Sequence, residues 1–240
     1  MKKLSVSIIG ILGTCFVSAN TSAASFDCTK ASTWVETSIC SDAELSDLDE
    51  KMAQQYKSEL AETTTNDIRH AQQTWLKFQR NTCKSKECLL REYKEYLEGR
   101  DVSYAQDLIH GDAPSQQAFD TFYEDVDISV YNPDTQAWGE AQSTTHDIEI
   151  NSVTNRPYIA VVDATLIFTN GHTCSVDTEV AYWADNHWSI VDYYEDAELR
   201  LYPVSTGSKT ELLLIDVDGQ YRLSHCGMRG YFDSKTFETM

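Results

Sequence analysis

The sequence predicts an α+β protein, with a disulfide-stapled N-terminal helical domain followed by a C-terminal antiparallel β domain. Apolar residues recur at helical spacing between Cys28 and Leu97, whereas β-branched and aromatic runs separated by turn residues dominate from Tyr158 onward. The charge divides in the same way. Residues 25–111 hold 16 acidic and 11 basic side chains, and residues 112–240 hold 22 acidic and 6 basic ones. We therefore predict two domains over these ranges, joined by a linker at 111–117.

The N-terminus has the pattern of an export signal. Lys2 and Lys3 precede an uncharged apolar run that ends at Val17 and is too short for a typical membrane span. Small side chains before Ser25 predict a signal peptide over residues 1–24, cleaved after about Ala24. A lipoprotein signal that uses Cys15 is the alternative. Either reading places the protein in the periplasm or outside the cell, and no second apolar run predicts a membrane span.

Three amphipathic helices are predicted in the N-terminal domain. Each shows apolar side chains three or four residues apart. The three sets are Leu45, Leu48, Met52, Tyr56 and Leu60; Ile68, Ala71, Trp75 and Phe78; and Leu89, Tyr93, Tyr96 and Leu97, which continues toward Tyr104 and Leu108. Ser41 and Glu44 are spaced as a capping box before the first helix, and Asn66 is positioned to cap the second. We expect Trp75 and Phe78 to be core residues.

Six cysteines remain once Cys15 leaves with the signal peptide. An even count in an exported chain predicts disulfides, although spacing alone does not choose among the connectivities. We favour pairing that keeps each bond inside one domain. The predicted pairs are Cys28–Cys40, Cys83–Cys88 and Cys174–Cys226. A zinc site made of His172, Cys174, His225 and Cys226 is the alternative for the last pair, and the oxidising compartment favours the disulfide.

The N-terminal domain resembles a known family. The resemblance covers about residues 26–97 and rests on the spacing of four cysteines and on short motifs between them. These are Phe26-Asp27-Cys28, Ile39-Cys40, Leu48-Asp49, Trp75-Leu76 and Cys88-Leu89. They resemble the N-terminal domain of the LprI-like lysozyme inhibitor family. The resemblance implies an exported inhibitor that binds lysozyme and occludes its cleft.

The sequence predicts successive β-hairpins in the C-terminal domain. Strand-like runs on either side of Asp185-Asn186 predict a tight hairpin there, and Asp218-Gly219 predicts another that leads into a strand at Tyr221. Successive hairpins favour an antiparallel sheet or a small barrel. Asp216 to Gly219 also looks like the start of a calcium loop, but the Gly and Glu that such a loop needs are absent from its sixth and twelfth positions.

The composition predicts a binding protein rather than an enzyme. We find no catalytic constellation, and we predict no cofactor and no metal site. A net charge of −19 disfavours nucleic acid as a partner and suits a cationic protein, such as lysozyme. Tyr193, Tyr194, Glu195 and Asp196 join aromatic and acidic side chains at a strand end, and they are our candidate partner-binding residues. The alternative function is a non-catalytic envelope-binding or structural module with a different ligand.

Overall fold

A computed structural model describes residues 24–62, 66–101 and 111–240, and it shows a helical region followed by a β-barrel. The predicted signal peptide, the lipoprotein alternative at Cys15 and the extension toward Leu108 lie outside the described residues, apart from Ala24. Within the described ranges, no helix combines the length and apolar character needed to cross a membrane.

Four helices lie in the described part of the N-terminal region. They are α1 (Trp34–Ser41), α2 (Ala43–Glu62), α3 (Asp67–Phe78) and α4 (Lys86–Glu98). The last three confirm the predicted amphipathic runs, and α4 ends where Gly99 adopts a positive φ of 97°. Helix α1 was not predicted. It begins with a capping box in which the Thr33 hydroxyl accepts from the Glu36 N–H and the Glu36 carboxylate accepts from the Thr33 N–H.

The predicted capping box at Ser41 is wrong. Ser41 is the last residue of α1, and Asp42 caps α2 because its carboxylate accepts from the backbone N–H groups of Glu44 and Leu45 at 3.0 and 3.1 Å. Asn66 precedes α3, as predicted, but its side chain makes no capping hydrogen bond. Only Asp42 separates α1 from α2, so the capping residue of α2 is Asp42 and not the predicted Ser41.

The helical region has its own small core, stapled by two disulfides. Trp75 is buried, and its ring contacts those of Tyr93 and Tyr96 at centroid distances of 5.4 and 4.6 Å. The predicted pairs Cys28–Cys40 and Cys83–Cys88 are both present. A core of this size gains much of its stability from such crosslinks, which restrict the unfolded chain.

The C-terminal region is a closed antiparallel barrel. Its strands are β1 (Thr121–Ile128), β4 (Gln142–Val153), β5 (Arg156–Phe168), β6 (His172–Ala184), β7 (His187–Asp192), β8 (Ala197–Thr206), β9 (Lys209–Asp216) and β10 (Thr236–Glu238). Strands β2 (Tyr131–Asn132) and β3 (Ala137–Trp138) form a separate small hairpin between β1 and β4. Strand β10 closes the barrel by pairing with both β1 and β9. Apolar side chains such as Phe122, Trp188 and Leu199 fill the interior.

Asp185-Asn186 forms the predicted hairpin turn between β6 and β7, whereas the prediction at Asp218-Gly219 is wrong. That pair belongs to a 3₁₀ turn that leads into the short helix α5 (Tyr221–His225) instead of a strand. The reason is the carboxylate of Asp216, which accepts from the N–H groups of Tyr221 and Arg222 at 2.9 and 3.0 Å and so satisfies the start of the helix. Beyond α5, a disulfide joins Cys226 to Cys174 on β6.

The helices pack on the outer face of β8 and β9. Phe78 of α3 forms one buried cluster with Tyr202, Leu213 and Ile215. Residues 197–202 are therefore buried on both faces of the strand, one face toward the barrel interior and the other toward the helices. The buried Arg200 also donates to Glu95 of α4 at 2.7 Å. Separate domains over 25–111 and 112–240 stay a prediction, and these contacts join the two regions closely.

Candidate functional site

The predicted partner-binding residues form the turn between β7 and β8. Tyr193 and Tyr194 are exposed, the latter at 99% of its surface, and Glu195 and Asp196 are also exposed. Asp192 shapes the turn, because its carboxylate accepts from the N–H groups of Tyr194 and Glu195 at 2.9 and 3.3 Å. The structure thus presents all four predicted side chains on one exposed turn.

This turn lies at the end of the barrel opposite to the end that contacts α4, and we call it the uncovered end. Strand register places four chain segments at this end: the β1–β4 connection, the β5–β6 turn, the β7–β8 turn and the segment after β9. The opposite end carries the β6–β7 turn, whose Asp185 and Asn186 contact α4. Most of the exposed large apolar side chains lie at the uncovered end. They are Val130, Tyr131, Trp138, Tyr193, Tyr194, Leu223, Met228 and Tyr231.

The small β2–β3 hairpin supplies the second aromatic group of this end. Tyr131 and Trp138 pair edge to face with ring centroids 5.3 Å apart, and Trp138 is 52% exposed. The side chain of Asn170, in the β5–β6 turn, accepts from the Tyr131 N–H at 2.6 Å and holds the hairpin against the barrel. These residues are not among the predicted partner-binding residues. The Asn132-Pro133-Asp134 turn signal between two aromatic residues could have indicated an exposed hairpin.

A shallow pocket of about 280 Å³ lies beside the turn between β7 and β8, which we call the Tyr193 turn. The rings of Tyr221 and His225 stack at a centroid distance of 3.9 Å along its wall, next to Asp192. Burial raises the pKa of Tyr221 far above its usual value, so its hydroxyl stays neutral. Tyr221 itself is fully buried, so the pocket is lined at its surface by His225 and by the exposed Tyr193 and Tyr194, next to the carboxylate of Asp192. Aromatic rings beside a carboxylate suit a cationic side chain.

The charge at the uncovered end is mostly negative. Its exposed or half-buried carboxylates are Asp127, Asp134, Glu140, Asp192, Glu195, Asp196 and Asp218, and Arg222 and Arg229 are exposed cations in the same region. Aromatic side chains surrounded by carboxylates can bury apolar area while attracting a basic partner. We call this end of the barrel, with the Tyr193 turn, the β2–β3 hairpin and α5, the acidic aromatic face.

We next ask whether the described side chains could hold a metal ion. Among the described residues, Cys83, Cys88 and Glu92 are the one group close enough to hold a metal ion, and the two cysteines form a disulfide. The Cys174–Cys226 disulfide likewise removes the two thiolates of the alternative zinc set with His172 and His225. A cystine sulfur is not the thiolate that zinc binds.

The comparison with protein families concerns the helical region. Residues 27–110 match the family model described as "Lysozyme inhibitor LprI". Over this range the N-terminal region is similar to the LprI family, and we therefore call it the LprI domain. The match covers about a third of the chain, and it includes the four described helices of this region and both of its disulfides. The barrel, with the acidic aromatic face, lies outside it. No curated protein and no solved structure matches the chain.

Proposed function

We propose that this protein is an exported lysozyme inhibitor, which acts by binding lysozyme and occluding its cleft rather than by chemistry. The single observation that carries the proposal is the match of residues 27–110 to the lysozyme inhibitor family. Three disulfides support a location outside the cytoplasm, in the periplasm or the medium, where such bonds persist. The net charge of −19 supports a basic partner.

We further propose that the acidic aromatic face makes part of the contact. Tyr193 and Tyr194 would pack against the partner, while Glu195 and Asp196 would face its basic side chains. Aromatic anchors carry a large share of interface energy, and opposite charges speed the encounter at low salt. The LprI domain has an exposed aromatic residue of its own, Trp34 at the start of α1, so the two regions can be tested with matched variants.

The test of inhibition is a lysis assay on peptidoglycan with the mature chain. We expect inhibition at micromolar protein and low salt, weakening as salt rises because screening shortens the reach of the charges. Absence of inhibition at low salt across a panel of lysozymes would refute the proposal. Binding to envelope material without inhibition would instead favour the alternative function, an envelope-binding module.

The contact residues are tested by Tyr194→Ala, with Trp34→Ala as the matched control in the LprI domain. Both side chains are exposed, so neither change should unfold the protein. We expect Tyr194→Ala to raise the inhibition constant about fivefold or more, the effect of losing about 1 kcal/mol of contact energy. If Trp34→Ala weakens inhibition and Tyr194→Ala does not, the contact lies on the LprI domain and our placement is wrong.

The electrostatic part of the contact is tested by Glu195→Lys, with Glu149→Lys on the barrel wall as its control. Both substitutions change the net charge by the same amount at an exposed position. We expect Glu195→Lys to slow association with lysozyme more than Glu149→Lys does, with a difference that shrinks at high salt. Equal effects would mean that only the overall charge matters.

A further inference from the structure

The carboxylate of Asp49 is buried in the LprI domain and is not used by the proposed binding surface. It lies on α2 and is 0% exposed. Its Oδ1 accepts from the Tyr93 hydroxyl at 2.7 Å and from Arg80 at a longer 3.4 Å. Its Oδ2 accepts from the backbone N–H of Ser25 at 2.8 Å and from the Ser25 hydroxyl at 2.6 Å. One oxygen of the carboxylate is thus directed to Ser25.

The partners of Asp49 compensate its charge only in part. Burial raises the pKa of Tyr93 far above its usual value, so this hydroxyl donates as a neutral group. The guanidinium of Arg80 is the nearby cation, and its contact is the longest of the four. A buried carboxylate is costly unless charged donors compensate it, and a charged donor strengthens a hydrogen bond substantially.

The sequence independently predicts cleavage after about Ala24, which would make Ser25 the first residue of the mature chain. Small residues before it match the pattern that a signal peptidase cleaves. We propose that Asp49 is the binding site for the new amino terminus: after export, the α-ammonium group of Ser25 forms an ion pair with Asp49 and locks the start of the chain onto α2. This inference rests on the predicted cleavage and is independent of lysozyme inhibition.

The step that creates the ammonium group is an ordinary hydrolysis. A peptidase of the export machinery adds one water across the Ala24–Ser25 peptide bond, which leaves a carboxylate on Ala24 and an amino group on Ser25. Free α-amino groups are mostly protonated at neutral pH. The nitrogen that donates to Asp49 as an amide in the uncut chain thereby becomes a charged donor at the same place.

The burial of Ala24 suggests an order of events within this proposal. In the uncut chain Ala24 is buried and packs with the apolar core of the LprI domain, whereas Ser25 is exposed. We therefore expect cleavage to precede the folding of the helical region, so that the ion pair forms as that region folds. A chain that escapes cleavage keeps only the neutral hydrogen bond.

The first test is the mass of the protein recovered from the compartment to which it is exported. We expect the mass of residues 25–240 with six hydrogens missing for three disulfides. An amino terminus at any other residue would overturn the proposal, since the α-ammonium group would then not be the group that faces Asp49.

The second test compares the chain that begins at Ser25 with one that carries a single extra glycine before it. The extension keeps the Ser25 N–H but moves the charge away. Ser25 is exposed, so we expect only a moderate effect. The unfolding equilibrium constant of the extended chain should be about fivefold larger, because a charged hydrogen bond is exchanged for a neutral one. Equal stability would overturn the proposal, and this comparison needs no change in the core.

Comparing the two chains, with and without the added glycine, in an Asp49→Asn background shows whether the carboxylate causes the difference in stability. We expect the extension to have almost no effect there, because an amide oxygen does not distinguish an ammonium group from an amide as a carboxylate does. An undiminished effect of the extension in this background would show that the added glycine acts by another route and would refute the assignment to Asp49.

Discussion

Asn186 joins the barrel to the LprI domain, and its removal should weaken the whole protein. It is buried at the tip of the β6–β7 hairpin. Its amide nitrogen donates to the carbonyl of Gln79 at 3.1 Å, to the hydroxyl of Thr82 at 3.0 Å and to the carboxylate of Glu92 at 3.1 Å. Its amide oxygen accepts from Arg91 at 2.8 Å.

The substitution Asn186→Ala removes these contacts and leaves charged groups behind. Glu92 is fully buried, and it loses a donor that no solvent can replace. Two of the lost hydrogen bonds involve charged partners, which contribute at least about 1.5 kcal/mol each. We therefore expect the free energy of unfolding to fall by about 3 kcal/mol, a large share of the stability of an ordinary domain.

The measurement is urea unfolding followed both by helical circular dichroism and by tryptophan fluorescence, with linear extrapolation to water. The matched control is Asn155→Gly in the exposed β4–β5 turn, where Asn155 has a positive φ of 60° that glycine adopts freely. We expect the control to change stability by less than about 0.5 kcal/mol. A loss below about 1 kcal/mol for Asn186→Ala would refute the reasoning, because the network would then not hold the two regions together.

Two further predictions concern the barrel. Replacing Cys174 and Cys226 together by alanine should cost about 4 kcal/mol, since their bond closes a loop of 52 residues in the unfolded chain, and calorimetry of the variant against the oxidised protein measures it. His187 is buried, and burial, followed by the charge of Arg200, depresses its pKa well below the usual value. The unfolded chain therefore takes up the proton first, so this histidine lowers stability by up to about 1.4 kcal/mol per pH unit below about pH 6.5. His187→Gln should flatten the fall in stability between pH 7 and pH 5, and an unchanged slope would contradict the assignment.

Much of the secondary structure could be predicted because it depends on local pattern. The spacing of apolar residues predicted α2, α3 and α4, and strand-like runs on either side of the Asp185-Asn186 turn predicted β6 and β7. The predicted element boundaries were wrong where a single side chain accepts hydrogen bonds from backbone N–H groups a few residues further along the chain. Asp42 rather than Ser41 caps α2, and the carboxylate of Asp216 starts α5 where a strand was expected. Single polar contacts of this kind decide an element boundary without changing the surrounding pattern.

The candidate site was predicted only in part. The Tyr193 turn was identified from its composition, but its neighbours at the uncovered end, such as Trp138 and Tyr231, come from distant segments. Strand order and register bring those segments together, and neither can be read from a single strand. The charge of the face was evident from the acidic composition of residues 112–240, whereas its position relative to the LprI domain was not.

The sequence by itself determined the class of the protein: an N-terminal domain similar to the LprI family, an even set of cysteines that favours disulfides, and an acidic β-rich second half. These follow from spacing and composition, which are local properties. Only the tertiary structure showed that the helices cover the outer face of β8 and β9, that Asn186 serves as a contact between the regions, and that Asp49 faces Ser25. Such contacts join residues far apart in the chain, and their free energy depends on which groups are buried together, so no local pattern could predict them.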